Sequence, residues 1–497
     1  MSQKRLIGAI CGFAFLLTAS VGLSAQTIAS SIVGTVVDAT GAVIPGAHVH
    51  LVNSGTGAVR DVQSGSSGVF RFPNLAPGTY SETVTANGFK AQNTTKIDLS
   101  ASETRDMGKI ALQVGQTSEE VTVTAATTPI QTSSSDVSHT IGGNQLDALP
   151  LAGRDLFGVV HLDAGVLDTQ GPRNTTQHGA LGSITIDGST SALNFTVDGQ
   201  TDMDTGSNGS DKVEPNMDAI QEVKILNSNS QAEYGRDSGG TISVVTKSGT
   251  TQFHGSGWLT HRHEDMNAND FFHNASGLSR ALYRYNIAGW SLGGPINIGH
   301  FKNKLFFFAS QEYTNELGSN RTETRTTPTA LERSGDFSQS LNSKGQLIKI
   351  YEPNTGNTVQ YPGNVIPPAG NPACGGNEAC INPIGQAMLN FFPLPNYTPA
   401  PGSKDVNQAN FQQSASGANS RRNDVARFDY NPTSKLSMYY RWMRDTATDV
   451  SLFRMTQFNI APQLFETPGV EDQYSLTYVL SPTMINQASV GYGTDHY

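Results

Sequence analysis

Lys435-Leu-Ser-Met-Tyr-Tyr-Arg-Trp442 and Gln473-Tyr-Ser-Leu-Thr-Tyr-Val-Leu480 are the stretches on which the fold is read. In the first, Leu436, Met438, Tyr440 and Trp442 fall on one face and Lys435, Ser437, Tyr439 and Arg441 on the other. In the second, Tyr474, Leu476, Tyr478 and Leu480 oppose Gln473, Ser475, Thr477 and Val479. Successive side chains of a strand point to opposite faces, so each stretch is a strand with one apolar, aromatic-rich face. A soluble sandwich and a membrane barrel both use such strands. The connections between them separate the two. Strands are expected at 253–262, 283–293, 304–313, 424–430, 435–442, 473–480 and 485–492. The connections 294–303, 431–434 and 481–484 are short, and 263–282, 314–423 and 443–472 are longer. Short turns at one end and long loops at the other are the signature of an antiparallel transmembrane β-barrel in the bacterial outer membrane.

Composition agrees with that class. In 497 residues only 15% are charged and 37% hydrophobic, with 51 glycines and a net charge of −10. The mean hydropathy of −0.32 argues against a helical membrane protein but suits a barrel with a polar lumen and loops. Mild acidity without a Lys/Arg cluster excludes nucleic acid as an expected partner. Lys4 and Arg5 precede the apolar run Leu6–Leu17 and then small residues to Ala25, which predicts a secretory signal peptide over 1–25. No later stretch reaches the roughly 18 apolar residues of a membrane helix. Cys11 lies in the leader, leaving Cys374 and Cys380. In an oxidising compartment this pair is expected to form a disulfide at a loop tip, since no further soft ligands stand near for a metal.

Residues 28–114 predict a small β-sandwich: Ile32–Asp38, Ala47–Val52, Val69–Phe72 and Thr79–Thr85 alternate between Gly/Pro turns. Gly34, Val36, Asp38, Gly41, Pro45-Gly46-Ala47, Val49, Gly68-Val-Phe70, Phe72, Leu75, Pro77-Gly78, Tyr80 and Gly88-Phe89 resemble the carboxypeptidase regulatory-like domain. That resemblance implies a domain without chemistry of its own, which could still bind carbohydrate or a partner. Residues 115–136 are read as a linker holding the extended run Glu119–Ala125. Such a run can be added as a strand to a partner's sheet, or can begin the next domain.

Residues 137–250 read as a small α/β unit, with a helix from Gly143 ended by Pro150 and strands at 183–187, 194–199, 220–226 and 240–246. Asn194-Phe-Thr-Val-Asp-Gly199, Met217–Ile225 and Ala232–Ile242 resemble the plug domain of TonB-dependent receptors, the Oar-like subgroup in particular. Ala288–Ile296, Lys302–Ala309, Arg333–Phe337 and Ile381–Gly385 are similar to barrel strands and the long loop of that subgroup. The resemblance implies a fold that is mainly β: signal peptide, sandwich, α/β plug and, over 252–497, the first part of a barrel. It implies TonB and outer-membrane lipid as partners, and an extracellular siderophore, oligosaccharide or peptide as ligand. It places the N-terminal domain in the periplasm and puts the TonB box at Glu120, Val121, Thr122, Val123 and Thr124. Function would be transport without a catalytic residue, cofactor or metal. The alternative is an outer-membrane-anchored binding or adhesion protein acting through the regulatory-like domain. Seven strands are fewer than the about 22 of a plugged transporter barrel, so the chain is expected to be a fragment or a degenerate copy.

Three clusters invite other chemistry. Asp237-Ser-Gly-Gly240 copies a serine-protease nucleophile motif without a His base in context. His261, His263 and Glu264, with His254 and His273, could be a metal cluster but are expected in a solvated loop. Asp202, Asp204, Asn208 and Asp211 are oxygen-rich like a calcium loop, yet lack its spacing and are expected on a plug loop facing outward.

Overall fold

The computed structural model describes residues 29–497 apart from 117–119, 126–134, 150, 152, 170–179, 191–192, 205, 207–208, 231–233, 236–238, 270, 276–278, 281, 318–320, 375–378, 400–408, 416, 452–462, 482–483 and 496–497. The signal peptide over 1–25, the Thr/Ser/Pro-rich run after Ala125 and the Asp237-Ser238 pair lie outside the described residues.

Short alternating segments between Gly/Pro turns give the N-terminal unit eight strands. These are β1 (Ser30–Asp38), β2 (His48–Asn53), β3 (Val59–Gln63), β4 (Val69–Leu75), β5 (Gly78–Thr85), β6 (Ala91–Leu99), β7 (Thr104–Leu112) and β8 (Glu120–Thr124). They form two sheets, β4-β1-β7 and β3-β2-β5-β6-β8. Ile32, Val36, Val49, Leu51, Phe70, Phe72, Tyr80, Val84, Ile97, Leu99, Ile110 and Leu112 fill the space between them. Glu82 interrupts this apolar face. It lies between Tyr80 and Val84 on β5, is fully buried, and neither carboxylate oxygen has a hydrogen-bond partner among the described residues. β3, β6 and β7 were not expected from the sequence, because charged and amide residues such as Arg60, Asp61, Gln92 and Asp106 break their alternation. β8 is not in a linker: it pairs in parallel with β6, from Ala91↔Glu120 to Thr95↔Thr124.

The middle unit contains β9 (Val137–Gly142), β10 (Val166–Asp168), β11 (Ile184–Ile186), β12 (Ser189–Thr190), β13 (Asn194–Val197), β14 (Gln200–Thr201), β15 (Ile220–Ser228) and β16 (Thr241–Thr246). Its main sheet has the order β14-β13-β16-β15-β9, beside a smaller sheet β10-β11-β12. A helix runs from Gly143 to Ala148 and a shorter one from Phe157 to Val160. The described residues of β13 and β16 are buried throughout, as expected of strands covered on both faces.

The remainder is β17 (His254–Arg262), β18 (Arg284–Pro295), β19 (Leu305–Leu317), β20 (Arg321–Arg325), β21 (Phe411–Ala415), β22 (Ala418–Thr433), β23 (Leu436–Ser451), β24 (Gln463–Ser481) and β25 (Met484–Asp495). Seven of them form one antiparallel sheet in chain order, β17-β18-β19-β22-β23-β24-β25, which is not closed. β20 and β21 pair separately beyond the β19–β22 hairpin. All seven expected strands are present, and the last four are longer than expected. β23 and β24 reach to Ser451 and from Gln463, well into the expected loop 443–472, because Asp445 and Glu471 are buried residues of these strands on the sheet's inner face. Their charges made strand look like loop. The turn 434–435 and the connection 296–304 lie at one end of the sheet, and the longer connections 263–283 and 318–417 at the other.

Candidate functional site

The middle unit lies against the inner face of the seven-stranded sheet, and one core cluster joins them: Phe195, Val197, Val213 and Val244 share it with Phe308, Val425 and Met443. Charge is concentrated around this apolar contact. Val197 and Gln200 pair across a two-residue turn in which Asp198 (φ 50°) and Gly199 (φ 80°) both adopt positive φ. That is the backbone of a tight primed hairpin, for which Asp-Gly is a preferred pair. The turn carries the Asp198 carboxylate onto the sheet. Thr246 donates to it from its backbone N at 3.0 Å and from Oγ1 at 2.6 Å. Arg427 of β22 and Arg441 of β23 donate to its two oxygens at 3.3 and 3.1 Å. Arg441 also donates to Glu471 of β24 at 2.9 Å, and Arg427 to Asp429 at 3.0 Å. The Arg427 guanidinium lies 4.4 Å from the Tyr439 ring centroid, a cation–π contact. Tyr439 Oη and Gln473 Nε2 donate to the Asp198 carbonyl at 3.3 and 3.1 Å.

Two further groups follow the same plan. Arg421 of β22 donates to Glu214 of the middle unit at 3.0 Å and to Asp445 at 2.9 Å. Asn423 Oδ1 accepts from Asn216 N and Nδ2, while Ser310 Oγ donates to Asn216 Oδ1 at 2.8 Å. Arg154 reaches from the middle unit to Glu312 at 3.1 Å and to Asp218, and lies 4.9 Å from the Trp258 ring centroid. Buried ions are costly unless paired, so these contacts hold the two units in one register without needing to add net stability. Burial also raises the Glu214 carboxyl to about 7, against the pull of Arg421.

Residues 245–496 match the outer membrane beta barrel domain. The chain belongs to that family. Residues 31–113 match the carboxypeptidase regulatory-like domain. The chain is similar to the TonB-dependent transporter Oar of Myxococcus xanthus, 26% identical over 360 residues that cover 69% of this chain and 32% of the relative. It thus spans about a third of that relative's length. Solved structures similar to it include the outer membrane transporter YddB of Escherichia coli (11% identity, TM-score 0.41, covering 72% of this chain and 38% of that one). The siderophore receptor PirA of Acinetobacter baumannii is another, at 14% identity and TM-score 0.39, covering 72% and 39%.

The family fixes the setting as the outer membrane, and the outer face of the sheet suits it. Phe428, Tyr474, Leu476, Tyr478 and Leu480 are exposed there. Tyr440 stacks on Tyr474 with ring centroids 4.6 Å apart and donates from its hydroxyl to Asp472 at 2.5 Å. An apolar band with aromatic rims is what a barrel presents to lipid.

The remaining candidates fall in different places. Glu120, Val121, Thr122, Val123 and Thr124 form β8 on the sandwich edge. Cys374 and Cys380 are joined by a disulfide in the long 318–417 connection, with Cα atoms 5.6 Å apart. His261 Nδ1 is 2.6 Å from Asn286 Oδ1, and Glu264 accepts from Arg284 at 3.1 Å. Among the described residues no three His, Cys, Asp or Glu side chains are grouped to hold a metal ion. Asp202 and Asp211 are not on an outward loop: both are buried. Asp202 accepts from Val213 N at 3.3 Å. Burial first, then the Glu471 and Asp211 carboxylates, pushes the Asp202 carboxyl well above its ordinary range. Sequence reading missed Asp198, Arg421, Arg427 and Glu471 as site residues. The available signal was charge repeated at period two on the polar face of strands whose other face is apolar.

Proposed function

We propose that this chain is part of an outer-membrane TonB-dependent receptor that binds an extracellular ligand and admits it past a plug. The observation that carries the reading is the Asp198 hairpin, lodged in the sheet's inner face and held there by Arg427 and Arg441. A unit fixed by several buried, polar, separable contacts can shift between two packings when a partner biases it. Residues 120–124 are the TonB box in this reading, the sandwich is periplasmic, and no bond is made or broken. The similarity to the TonB-dependent transporter Oar supports the class. A siderophore, oligosaccharide or peptide fits it equally as ligand.

The test is uptake by cells carrying a whole receptor that contains this chain, with and without residues 120–124, offered ferric siderophores, oligosaccharides and peptides in turn. Import of one class that is lost on deletion, with surface binding retained, is the expected result. Binding with no import in either form would favour an anchored binding protein instead.

A further inference from the structure

We infer that the cavity between the sandwich, the middle unit and the inner face of the sheet is a binding site for a short acidic saccharide. The inference stands on that cavity and does not depend on the role of residues 120–124.

Three units build the walls. The sandwich contributes the turn after Asn53 and the stretch Asn74–Tyr80, the middle unit contributes Val245–Ser248, and the sheet contributes one face of β22, β23 and β24. On that face Asp429 pairs with Tyr439, Tyr439 with Ser475, and Ser437 with Thr477, so polar side chains stand next to one another across three strands. The sandwich wall is tied in place. Thr251 N donates to the Gly55 carbonyl at 2.9 Å and Gln221 Nε2 to that of Pro77 at 3.5 Å. Lys224 Nζ donates to the carbonyls of Ala101 and Ser102 at 3.1 and 3.2 Å, and Glu222 accepts from Ala101 N. The site is therefore formed before a ligand arrives, which favours binding. Its volume, about 510 Å³, lies within the range of small-molecule sites.

The whole chain has a net charge of −10, yet this lining is cationic. Arg60, Lys247 and Arg427 face a single carboxylate, Asp429, with His254 beside them. Arg427 is already engaged by Asp429 and Asp198. Arg60 and Lys247 are half-buried, and among the described residues neither side chain has a hydrogen-bond or ion-pair partner. Burial pulls the Arg60 guanidinium below its ordinary range, and Tyr80 alone opposes the shift. A partly desolvated cation without a counterion is unfavourable, and an anion entering the cavity would relieve it.

The uncharged lining asks for more than an anion. Among the described residues the side chains of Asn74, Ser248, Asn431, Ser437, Ser475 and Thr477 make no hydrogen bond to the protein. Hydroxyls and amides both donate and accept, and so do the hydroxyls of a sugar. An inorganic anion would satisfy the two cations and leave these groups unmatched. A neutral sugar would do the reverse. A saccharide of uronic acids matches both.

The test uses digalacturonate, which has a carboxylate on each ring, titrated by calorimetry into a whole receptor that contains this chain. Maltose and inorganic phosphate are the comparators. Digalacturonate should bind at least about tenfold more tightly than either, because each comparator meets only part of the lining. Arg60→Gln and Lys247→Gln should each weaken it about tenfold. Lys109→Gln, at an exposed residue of β7 outside the cavity, should change it less than about twofold. Arg60 and Lys247 have no partner to lose, so both variants should fold, and unchanged protection of the sandwich core amides checks this. Hydrogen exchange places the ligand: digalacturonate should slow exchange at 53–58 and 247–250 in the wild type and not in the double variant. Phosphate or maltose binding as tightly as digalacturonate would overturn the inference. So would an absence of digalacturonate binding, or binding that both substitutions leave unchanged. None of these outcomes bears on residues 120–124, so the transport reading stands or falls by its own deletion test.

Discussion

Arg441 and Asp198 are both almost entirely removed from solvent, 243 residues apart in the chain, and joined through Nη1 and Oδ2 at 3.1 Å. Arg441 spends its other terminal nitrogen on Glu471, so the pair belongs to a chain of alternating charges that crosses from the middle unit into two strands of the sheet. Its members depend on one another: a buried charge without its counterion is far more costly than a pair that was never buried.

Asp198→Asn keeps the shape of the turn and removes the charge that Arg427 and Arg441 share. The expected cost is about 3 kcal/mol, the low end for breaking a buried pair, because Asp429 and Glu471 still hold the two arginines. The loss should appear as faster hydrogen exchange and proteolysis in the hairpin 194–201, with the sheet unchanged. Adding Arg427→Gln should cost less than the sum of the two single substitutions, since both remove the same Arg427–Asp198 contact. Strict additivity would mean that the two side chains do not interact.

Glu82 carries a pH dependence of unusual sign. Burial raises its carboxyl from 4.5 to about 8. Between those values the folded sandwich holds a proton that the unfolded chain has lost, so stability falls as pH rises through this window. The slope is at most about 1.4 kcal/mol per pH unit for a single group. Glu82→Gln should flatten this dependence, and Glu82→Leu should flatten it and raise stability at pH 8. The check is protection of the β5 core amides at several pH values, corrected for intrinsic exchange. A wild-type sandwich as stable at pH 8 as at pH 5 would refute the burial argument.

How far the sequence could be read follows from which interactions are periodic. Tyr440 and Arg441 fall on opposite faces by period two alone, and the structure puts Tyr440 outside and Arg441 inside. The seven strands and the short-long connections were legible for the same reason. The partner of Arg441 was not, because nothing local to Asp198-Gly199 says which strand the turn will meet. β8 shows the same limit in another form. Its β-branched run identifies a strand, but alternation carries no information about the neighbour, and β6 lay hidden behind Gln92, Asn93 and Lys96. Asp445 and Glu471 read as loop residues because charge usually means solvent, and here it means a buried counterion.

The joint between the sandwich and the middle unit should also loosen as pH rises. Burial lifts the Glu222 carboxyl to about 7 although Ala101 N and Lys224 favour its ionised form. Undocking returns it to its ordinary 4.5, so the docked state binds the extra proton and docking weakens from pH 4.5 towards 7. Spin labels at Val114→Cys and Leu167→Cys, both on exposed residues, would report a distance distribution that broadens from pH 5 to pH 8. Glu222→Gln should remove the trend. A distribution that does not respond to pH in the wild type would show that the other ties, Lys224 and Thr251 among them, suffice.

Leu476 and Thr477 are neighbours on β24 that face opposite solvents, and they give the sharpest test of the sheet's orientation. Leu476 belongs to the exposed apolar face, while Thr477 borders a cavity of about 510 Å³ that the sheet shares with Asn74–Tyr80 of the sandwich and with Lys247. A lysine at lipid-facing positions of a barrel costs about 2–4 kcal/mol near the bilayer midplane and less towards the interfaces, whereas a polar lumen absorbs the same charge. Leu476→Lys should therefore lower the fraction of chain that inserts stably into liposomes, while Thr477→Lys should insert like wild type. Leu476→Ala separates the introduced charge from the lost packing, and should fall between them. Insertion that fails for Thr477→Lys and survives in Leu476→Lys would invert the sheet's two faces, and would remove the basis for placing the Asp198 hairpin in a lumen.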